Sequence, residues 1–375
     1  MKNILITGSE GFIGKNLVIK LNKFPNISIT SFNRGMDISM LDDFLQQADY
    51  VFHLAGENRT NDISAFAKNN EEFTSILCEK IKSKVNASDK KVKLIFTSSI
   101  QASLPNPYGQ SKLKAEEIIK NFSNKKNFLA NIFRLPGVFG KWCRPNYNSV
   151  VSTFCYNIAR EIPVRVDDEN RLLNLVYVDD VINNLILSLN KDIDNEEIYK
   201  KIEPEYSITL GELATQINNF KLSREDLRMD ANGSGFLKAL YSTYLSYLPT
   251  NQFSYKLNSS IDPRGKFVEV LKSSTFGQIS YLTINSNQER GGHYHHTKTE
   301  KFLVLKGNAL FRFKNIITKE FIEIKVSSKE TRIVDTIPGW IHDIVNIGSE
   351  EVIIMLWSNE IYDPNNPDTI QHKVL

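Results

Sequence analysis

The stretch Asn3-Ile4-Leu5-Ile6-Thr7-Gly8-Ser9-Glu10-Gly11-Phe12-Ile13-Gly14 constrains this chain more than any other. Its first five residues form a short apolar run, as expected of a strand buried on both faces. Glycines three residues apart follow, and then a helical pattern through Leu17, Leu21 and Phe24. Strand, glycine loop and helix in that order are the setting in which this spacing binds a dinucleotide. Gly8 allows the tight turn, Gly11 lets the backbone approach a pyrophosphate, and Gly14 lets helix and strand pack closely. Gly11, Phe12, Ile13 and Gly14 open the helix, whose N-terminus stabilises the anion.

The second strand, Ile27 to Phe32, ends in Asn33-Arg34. An acidic residue there would bind the ribose hydroxyls of NAD. An amide and a guanidinium suit the extra phosphate instead, so NADPH is the expected cofactor. Asp37 is placed to reach the adenine amine. Asp49 to Gly56 reads as the third strand, with Ala55 and Gly56 leaving room for the cofactor and His53 as a satisfied core histidine. Strands alternate with helical segments, which predicts an α/β, doubly wound Rossmann domain with ligands at the strands' carboxyl ends. Thr7–Gly8, Ala55–Gly56 and Ser98–Ser99 all fall at such ends.

Asn106-Pro107-Tyr108-Gly109-Gln110-Ser111-Lys112 opens a helical segment expected from Lys112 to Asn121. Positions four apart share a helix face, so Tyr108 and Lys112 point into one space, beside the Ser99 hydroxyl. A free phenol has a pKa of about 10. A nearby ammonium lowers it, and the tyrosine can then hand a proton to a carbonyl as hydride arrives. Such a trio suits ketone reduction.

Together with His53-Leu54-Ala55-Gly56, Arg134-Leu135-Pro136-Gly137-Val138-Phe139-Gly140 and Tyr177-Val178-Asp179-Asp180-Val181, these motifs resemble the extended short-chain dehydrogenase/reductases over residues 1–247. The resemblance implies an NAD(P)-dependent enzyme of nucleotide-sugar metabolism. It also implies Tyr108 as the acid-base group, Lys112 on the nicotinamide ribose and Ser99 on the substrate oxygen, with Asn70 as the family's helix asparagine. The loop from Lys141 to Ser149 lies past a strand end and offers Lys141, Arg144 and Asn148 to a nucleotide diphosphate and a sugar, with Arg59 a similar candidate.

Near Thr250 the period changes from helix-like to strand-like, which divides the chain into domains 1–250 and 251–375. The second reads as short alternating strands, namely residues 265–270, 277–284, 300–305 and 309–313. That is the mark of a small sandwich or barrel. Alternate strand residues share a face, so His293 and His295 converge, with Glu300 and His342 available beside them. Four of the six histidines lie in this stretch. Imidazoles and a carboxylate suit Zn²⁺ or another divalent metal. The pattern resembles an all-β cupin (jelly-roll) domain. Arg290-Gly291-Gly292-His293 also resembles sugar-nucleotide epimerases of that class, which implies a proton-abstracting histidine. His293 and His295 are therefore candidates both as base and as metal ligand. Metal ligation is favoured for His293, because a lone base would not need Glu300 and His342 around it.

Over its whole length the chain resembles the CapF/WbjC-type capsular and O-antigen polysaccharide enzymes. This implies a homodimer in which the cupin half epimerises C3 of a UDP-linked 4-keto-6-deoxy amino sugar. The reductase half then reduces C4 with NADPH, on the route to UDP-N-acetyl-L-fucosamine. The alternative is a single reductase site that does both, with the cupin only dimerising or binding sugar. A net charge of +3 among 46 basic and 43 acidic residues leaves no basic stripe for nucleic acid or a membrane surface. Three cysteines without metal-type spacing fit a reducing cytoplasm. Gly8 interrupts the N-terminal apolar run too early for a signal peptide, and no stretch approaches a membrane span.

Overall fold

A computed structural model describes residues 1–88, 90–123, 127–189, 197–229 and 232–375. These group into two compact units: Met1–Asn218 with Gly235–Pro249, and Asn219–Ser234 with Thr250–Leu375.

In the first unit the leading elements are β1 (Lys2–Thr7), α1 (Phe12–Leu21), β2 (Ile27–Phe32), α2 (Met40–Gln47) and β3 (Tyr50–His53). A single turn, α3 (Ser64–Phe66), widens into a π-helical stretch, Ala67–Glu72, before α4 (Phe73–Ser88). Then come β4 (Val92–Ser99), α5 (Pro107–Phe122), β5 (Phe128–Leu135), β6 (Gly137–Phe139) and α6 (Val150–Ile158). The unit closes with β7 (Leu172–Tyr177), α7 (Val178–Leu187), β8 (Tyr199–Lys200), β9 (Tyr206–Thr209), α8 (Leu210–Leu222) and α9 (Gly235–Ser246). Six strands form a parallel sheet in the order β2-β1-β3-β4-β5-β8. The chain moves from β1 to β2 on one side and returns to place β3 on the other. That reversal opens a crevice at the carboxyl ends of β1 and β3.

Helices cover both faces of this sheet. Leu41, Leu77, Ile81 and Ile119 pack on one, and Leu17, Leu21, Val181 and Leu185 on the other. β4 is buried along its whole length, with Leu94, Ile95 and Phe96 at its centre, as a parallel strand covered on both faces must be. Each buried Ile or Leu contributes roughly 1.5–3 kcal/mol.

Two expectations need adjusting. α5 begins at Pro107 rather than Lys112, because the Asn106 side chain accepts from the Gly109 amide at 2.7 Å and proline suits the first turn. Tyr108 is therefore already helical. The helix-like period before Thr250 covers α8 and α9 but not residues 223–229.

The second unit holds two antiparallel sheets. Its strands are β10 (Ser260–Asp262), β11 (Gly265–Ser273), β12 (Gly277–Ile284), β13 (Glu289–Tyr294), β14 (Glu300–Lys306), β15 (Asn308–Asn315), β16 (Phe321–Ser327), β17 (Ile333–Asp335), β18 (Trp340–Asn346), β19 (Val352–Ser358) and β20 (Ile370–Gln371). One sheet runs β10-β11-β12-β19-β14-β17 and the other β16-β15-β18-β13-β20. Leu282, Ile284, Phe302 and Ile354 from the first meet Phe311, Phe313 and Ile344 from the second. Among the described residues no helix is long and apolar enough to cross a membrane.

Candidate active sites

At the crevice of the parallel sheet, Gly8 has φ +75° and its amide donates to the Phe32 carbonyl at 2.9 Å. A Cβ on Gly8 would lie 2.8 Å from the Ala55 backbone, and one on Gly14 would lie 2.2 Å from the Gly8 carbonyl oxygen. Only glycine permits this approach of loop, strand and helix. α1 then starts at Phe12 with no acidic residue in its first turn. Asn33 exchanges hydrogen bonds with the Ser9 hydroxyl (2.9 and 3.1 Å) and accepts from the Glu10 amide at 3.3 Å. It thereby ties β2 to the glycine loop. The Arg34 side chain is 81% exposed and pairs with Glu57 at 2.9 Å. Exposed pairs of this kind contribute about 0–1 kcal/mol, so the guanidinium is readily released. The Asp37 carboxylate accepts from the amide (2.9 Å) and hydroxyl (2.8 Å) of Ser39, which lead into α2.

Ser99 at the end of β4 and Tyr108 in the first turn of α5 share a hydrogen bond, and Lys112 follows one turn further along α5. Burial holds the Tyr108 phenol above its ordinary range, against the pull of its hydrogen bond with the Ser99 hydroxyl, so the lowering by the Lys112 ammonium that the sequence predicts is not what this structure gives. The Lys112 ammonium is buried, donates to the Thr97 carbonyl at 3.1 Å and lies 4.8 Å from the Phe96 ring centroid. Burial pulls its pKa down to about 8, against the pull of the Glu116 carboxylate. The π-helical stretch turns Asn70 inward, where its amide donates to the Glu57 carbonyl and the Ser111 hydroxyl, both at 2.9 Å. His53 is buried, with Nδ1 at 2.8 Å from the Thr7 hydroxyl and Nε2 at 2.9 Å from that of Thr74. Desolvation, with Lys112 nearby, holds it neutral down to about pH 3. It is the satisfied core histidine its strand position suggested.

Sequence reasoning missed Glu116. Fully buried, it accepts from the Ser98 hydroxyl (2.5 Å), the Arg134 guanidinium (2.6–3.2 Å) and the Tyr199 phenol (2.9 Å). It is the next position on the face that carries Tyr108 and Lys112, and that spacing was the available signal. Its charge holds Lys112 protonated. The Lys112 ammonium is present below about pH 8 and lost above it. We therefore expect ketone reduction to fall on an alkaline limb near that pH. In Glu116→Gln the limb should move to lower pH, as read from the pH profile of kcat/KM.

The four substrate-loop candidates separate into groups. Arg59 donates to the Tyr147 carbonyl, and the Tyr147 phenol donates back to the Arg59 carbonyl at 3.0 Å. Arg144 lies 4.9 Å from the same ring, so the structure brings these two cations together on one aromatic. Lys141 pairs with Asp179 and lies 5.9 Å from the Tyr177 ring. Asn148 is exposed.

In the second unit, one donor atom from each of His293, His295, Glu300 and His342 lies within 4.8 Å of the others. β13 and the turn after it supply two histidines, β18 the third, and β14 of the facing sheet the carboxylate. His295 Nε2 is 3.4 Å and His342 Nε2 is 3.6 Å from a Glu300 oxygen, yet both nitrogens are buried without a hydrogen-bond partner. Meanwhile His295 Nδ1 faces the Asp368 carbonyl at 2.5 Å, an acceptor only. Nδ1 therefore carries the proton, and the Nε2 lone pair faces a carboxylate. Two acceptors in that relation call for a cation between them, so this donor set fits a divalent metal. Burial would raise Glu300, but His295, His342 and Lys298 (3.2 Å) hold it well below its ordinary range. Burial, with His342 close by, lowers His293 to about 3. His293, Glu300 and His342 line a cavity of about 360 Å³, with Arg290, Lys298 and Tyr362 on its walls. His295 sits outside that lining.

A doubly wound sheet carrying a glycine turn and a Ser–Tyr–Lys constellation defines an NAD(P)-binding reductase-type domain, here joined to a two-sheet β unit with a histidine–carboxylate cluster. Residues 4–200 match the NAD dependent epimerase/dehydratase family, and residues 260–370 match the polysaccharide biosynthesis C-terminal domain. The chain is 45% identical over 366 residues to the UDP-2-acetamido-2,6-beta-L-arabino-hexul-4-ose reductase of Pseudomonas aeruginosa, covering 98% of this chain and 97% of that protein. It is 38% identical to the crystal structure of the capsular polysaccharide assembling protein CapF from Staphylococcus aureus, with TM-score 0.91 over 99% of this chain and all of that one. The UDP-glucuronic acid 4-epimerase of Bacillus cereus shares the fold of the first unit, at 20% identity and TM-score 0.52 over 58% of this chain and 83% of that one. The chain belongs to the CapF-type polysaccharide biosynthesis enzymes, an epimerase/dehydratase-family domain followed by a polysaccharide biosynthesis C-terminal domain.

Proposed function

We propose that this chain is a bifunctional nucleotide-sugar enzyme divided near Thr250, whose first domain reduces the C4 ketone of a UDP-2-acetamido-2,6-dideoxy-4-hexulose. The hydrogen bond between Ser99 and Tyr108, with the Lys112 ammonium beside Gly56 at the same crevice, supports this reading. The substrate class follows from the name of the Pseudomonas aeruginosa relative. Gly8, Gly11, Phe12, Ile13, Gly14, Asn33, Arg34, Asp37, Ala55 and Lys112 would hold NADPH, which would supply the hydride when bound. Ser99 holds the ketone oxygen, and Tyr108 protonates it as the alkoxide forms. Lys112 keeps positive charge near the phenol. Arg59, Lys141, Arg144 and Asn148 hold the nucleotide diphosphate and sugar.

The second, cupin-type domain epimerises C3. A C3 proton is acidic only while C4 is a ketone, so epimerisation precedes reduction, and reduction then makes the change irreversible. Within this reading His293, on the cavity wall, serves as the base at C3 in place of the ligand role that the sequence favours for it. His295, Glu300 and His342 would hold a divalent metal such as Zn²⁺, which would supply Lewis acidity toward the ketone oxygen when bound. The product is UDP-2-acetamido-2,6-dideoxy-L-talose, and the working form is a cytoplasmic homodimer.

The test is oxidation of NADPH, compared with NADH, on adding the UDP-4-keto sugar. Rapid oxidation that prefers NADPH supports the reading; none by a cofactor-binding protein refutes it. Arg34→Ala is expected to weaken NADPH binding about 10–100-fold, since a charge-assisted contact contributes about 1.5–3 kcal/mol. NADH binding should be nearly unchanged. Equal losses for the two cofactors would remove Arg34 from the phosphate site.

A further inference from the structure

We propose that Asp368, on the strap that leads from β19 to β20, is a positioning residue that fixes the tautomer of His295 and the course of the turn after it. The inference builds on reading the histidine–carboxylate cluster as a metal centre. Its geometric core does not depend on an ion being bound.

The turn between β13 and β14 contains three consecutive amides that point one way. Those of His296 (2.8 Å), Thr297 (2.6 Å) and Lys298 (2.8 Å) all donate to the Asp368 carboxylate, and the Thr297 hydroxyl joins them at 3.1 Å. A carboxylate is the only side chain that can accept this many donors without adding one of its own. The main-chain carbonyl of the same residue faces His295 Nδ1. One residue thus grips the turn with its side chain and orients the imidazole with its backbone.

The strap itself is held in register. The Asn359 amide donates to the Thr299 carbonyl at 3.1 Å, and its side chain accepts from the Thr299 amide at 2.9 Å. At the far end Tyr294 pairs with Ile370 and His293 with Gln371, and the His372 amide donates to the Gly292 carbonyl at 2.9 Å. Asp368 sits two residues before Ile370, so this pairing presses it against the turn.

The consequence reaches the cluster by two routes. With the proton fixed on Nδ1, His295 presents Nε2 as a lone pair to the space beside Glu300 and His342. With the turn fixed, Lys298 is aimed at Glu300, 3.2 Å away. Partners of this kind, one step behind the ligands, typically change metal affinity 10–100-fold when removed.

The experiment compares the full chain with Asp368→Ala, Asp368→Asn and Asp363→Ala. Asp363 lies on the same strap, its carboxylate accepting from the Asn365 amide at 2.9 Å and its carbonyl from the Asn366 amide at 3.3 Å, and serves as the control. Zinc affinity is read by competition with a chromophoric chelator. The His295 tautomer is read by ¹⁵N NMR of histidine-labelled, metal-free protein, with His295→Gln used for assignment. Asp368→Ala keeps the carbonyl but releases the turn from the strap, so zinc should bind about 10–100-fold more weakly and the single Nδ1–H signature should give way to a mixture of tautomers. Asp368→Asn, which keeps the shape and one acceptor, should fall between, and Asp363→Ala should match the parent. Unchanged affinity and an unchanged tautomer in Asp368→Ala would overturn the proposal. Should Asp368→Ala not fold, the Asp368→Asn comparison decides by the same two readouts. A parent chain that binds no zinc would count against the metal reading, and the tautomer comparison would then decide the role of Asp368.

Discussion

Replacing Tyr108 by phenylalanine should lower the turnover of NADPH-dependent ketone reduction by about 10²–10⁴-fold, the range for losing a positioned proton donor. Cofactor affinity should stay close to that of the parent. Tyr108 lies in the first turn of α5, against the Phe66 ring at 5.8 Å, and phenylalanine preserves that packing. The variant removes one oxygen and leaves Ser99, Lys112 and the glycine turn in place. Single-turnover kinetics with saturating NADPH read the effect directly. A residual rate within a few-fold of the parent would mean that another group delivers the proton.

The second large effect is expected at His293. His293→Asn should slow exchange of the C3 proton with solvent by at least about 10²-fold, because a general base is lost. Zinc should remain bound, since His295, Glu300 and His342 retain their positions on β14, β18 and the turn after β13. Reduction of ketone that already has the inverted C3 configuration should be unaffected. His342→Ala provides the contrast, losing zinc and exchange together. If His293→Asn loses zinc as readily as His342→Ala does, His293 is a ligand and not the base. Proton exchange by NMR in deuterated solvent, paired with zinc analysis, separates the two roles.

Much of this was legible because local chemistry and global fold agree in the first unit. Thr7-Gly8, Ala55-Gly56 and Ser98-Ser99 each mark a strand end, and the sheet order gathers those ends at one crevice. In the second unit, Gly277 to Ile284 was readable to the residue, since its alternation matches a strand with one face in the core. What escaped depends on long-range pairing. Glu116 reads as one more surface charge on a helix until β5 and β8 bring Arg134 and Tyr199 to it. Asp368 follows Asn365-Asn366-Pro367, a stretch that reads as a loop, and only the β13–β20 register brings it to the histidine turn. The early start of α5 was in principle visible in Asn106-Pro107, a capping residue followed by a first-turn proline. The separation of His293 from His295 was not visible. Strand alternation puts both on one face, but β13 ends at Tyr294, so His295 lies in the following turn while His293, on the strand, lines the cavity.

The account stands on two chemistries in two separate domains, and one measurement reaches that claim directly. Tyr108→Phe protein, free of nicotinamide cofactor, is incubated with the UDP-4-keto sugar in deuterated water, and deuterium at C3 is followed by mass spectrometry. Two independent sites predict that exchange proceeds at the parent's rate while NADPH oxidation by the same variant is lost. Loss of exchange along with reduction would contradict it and place both steps in the Ser99–Tyr108–Lys112 site.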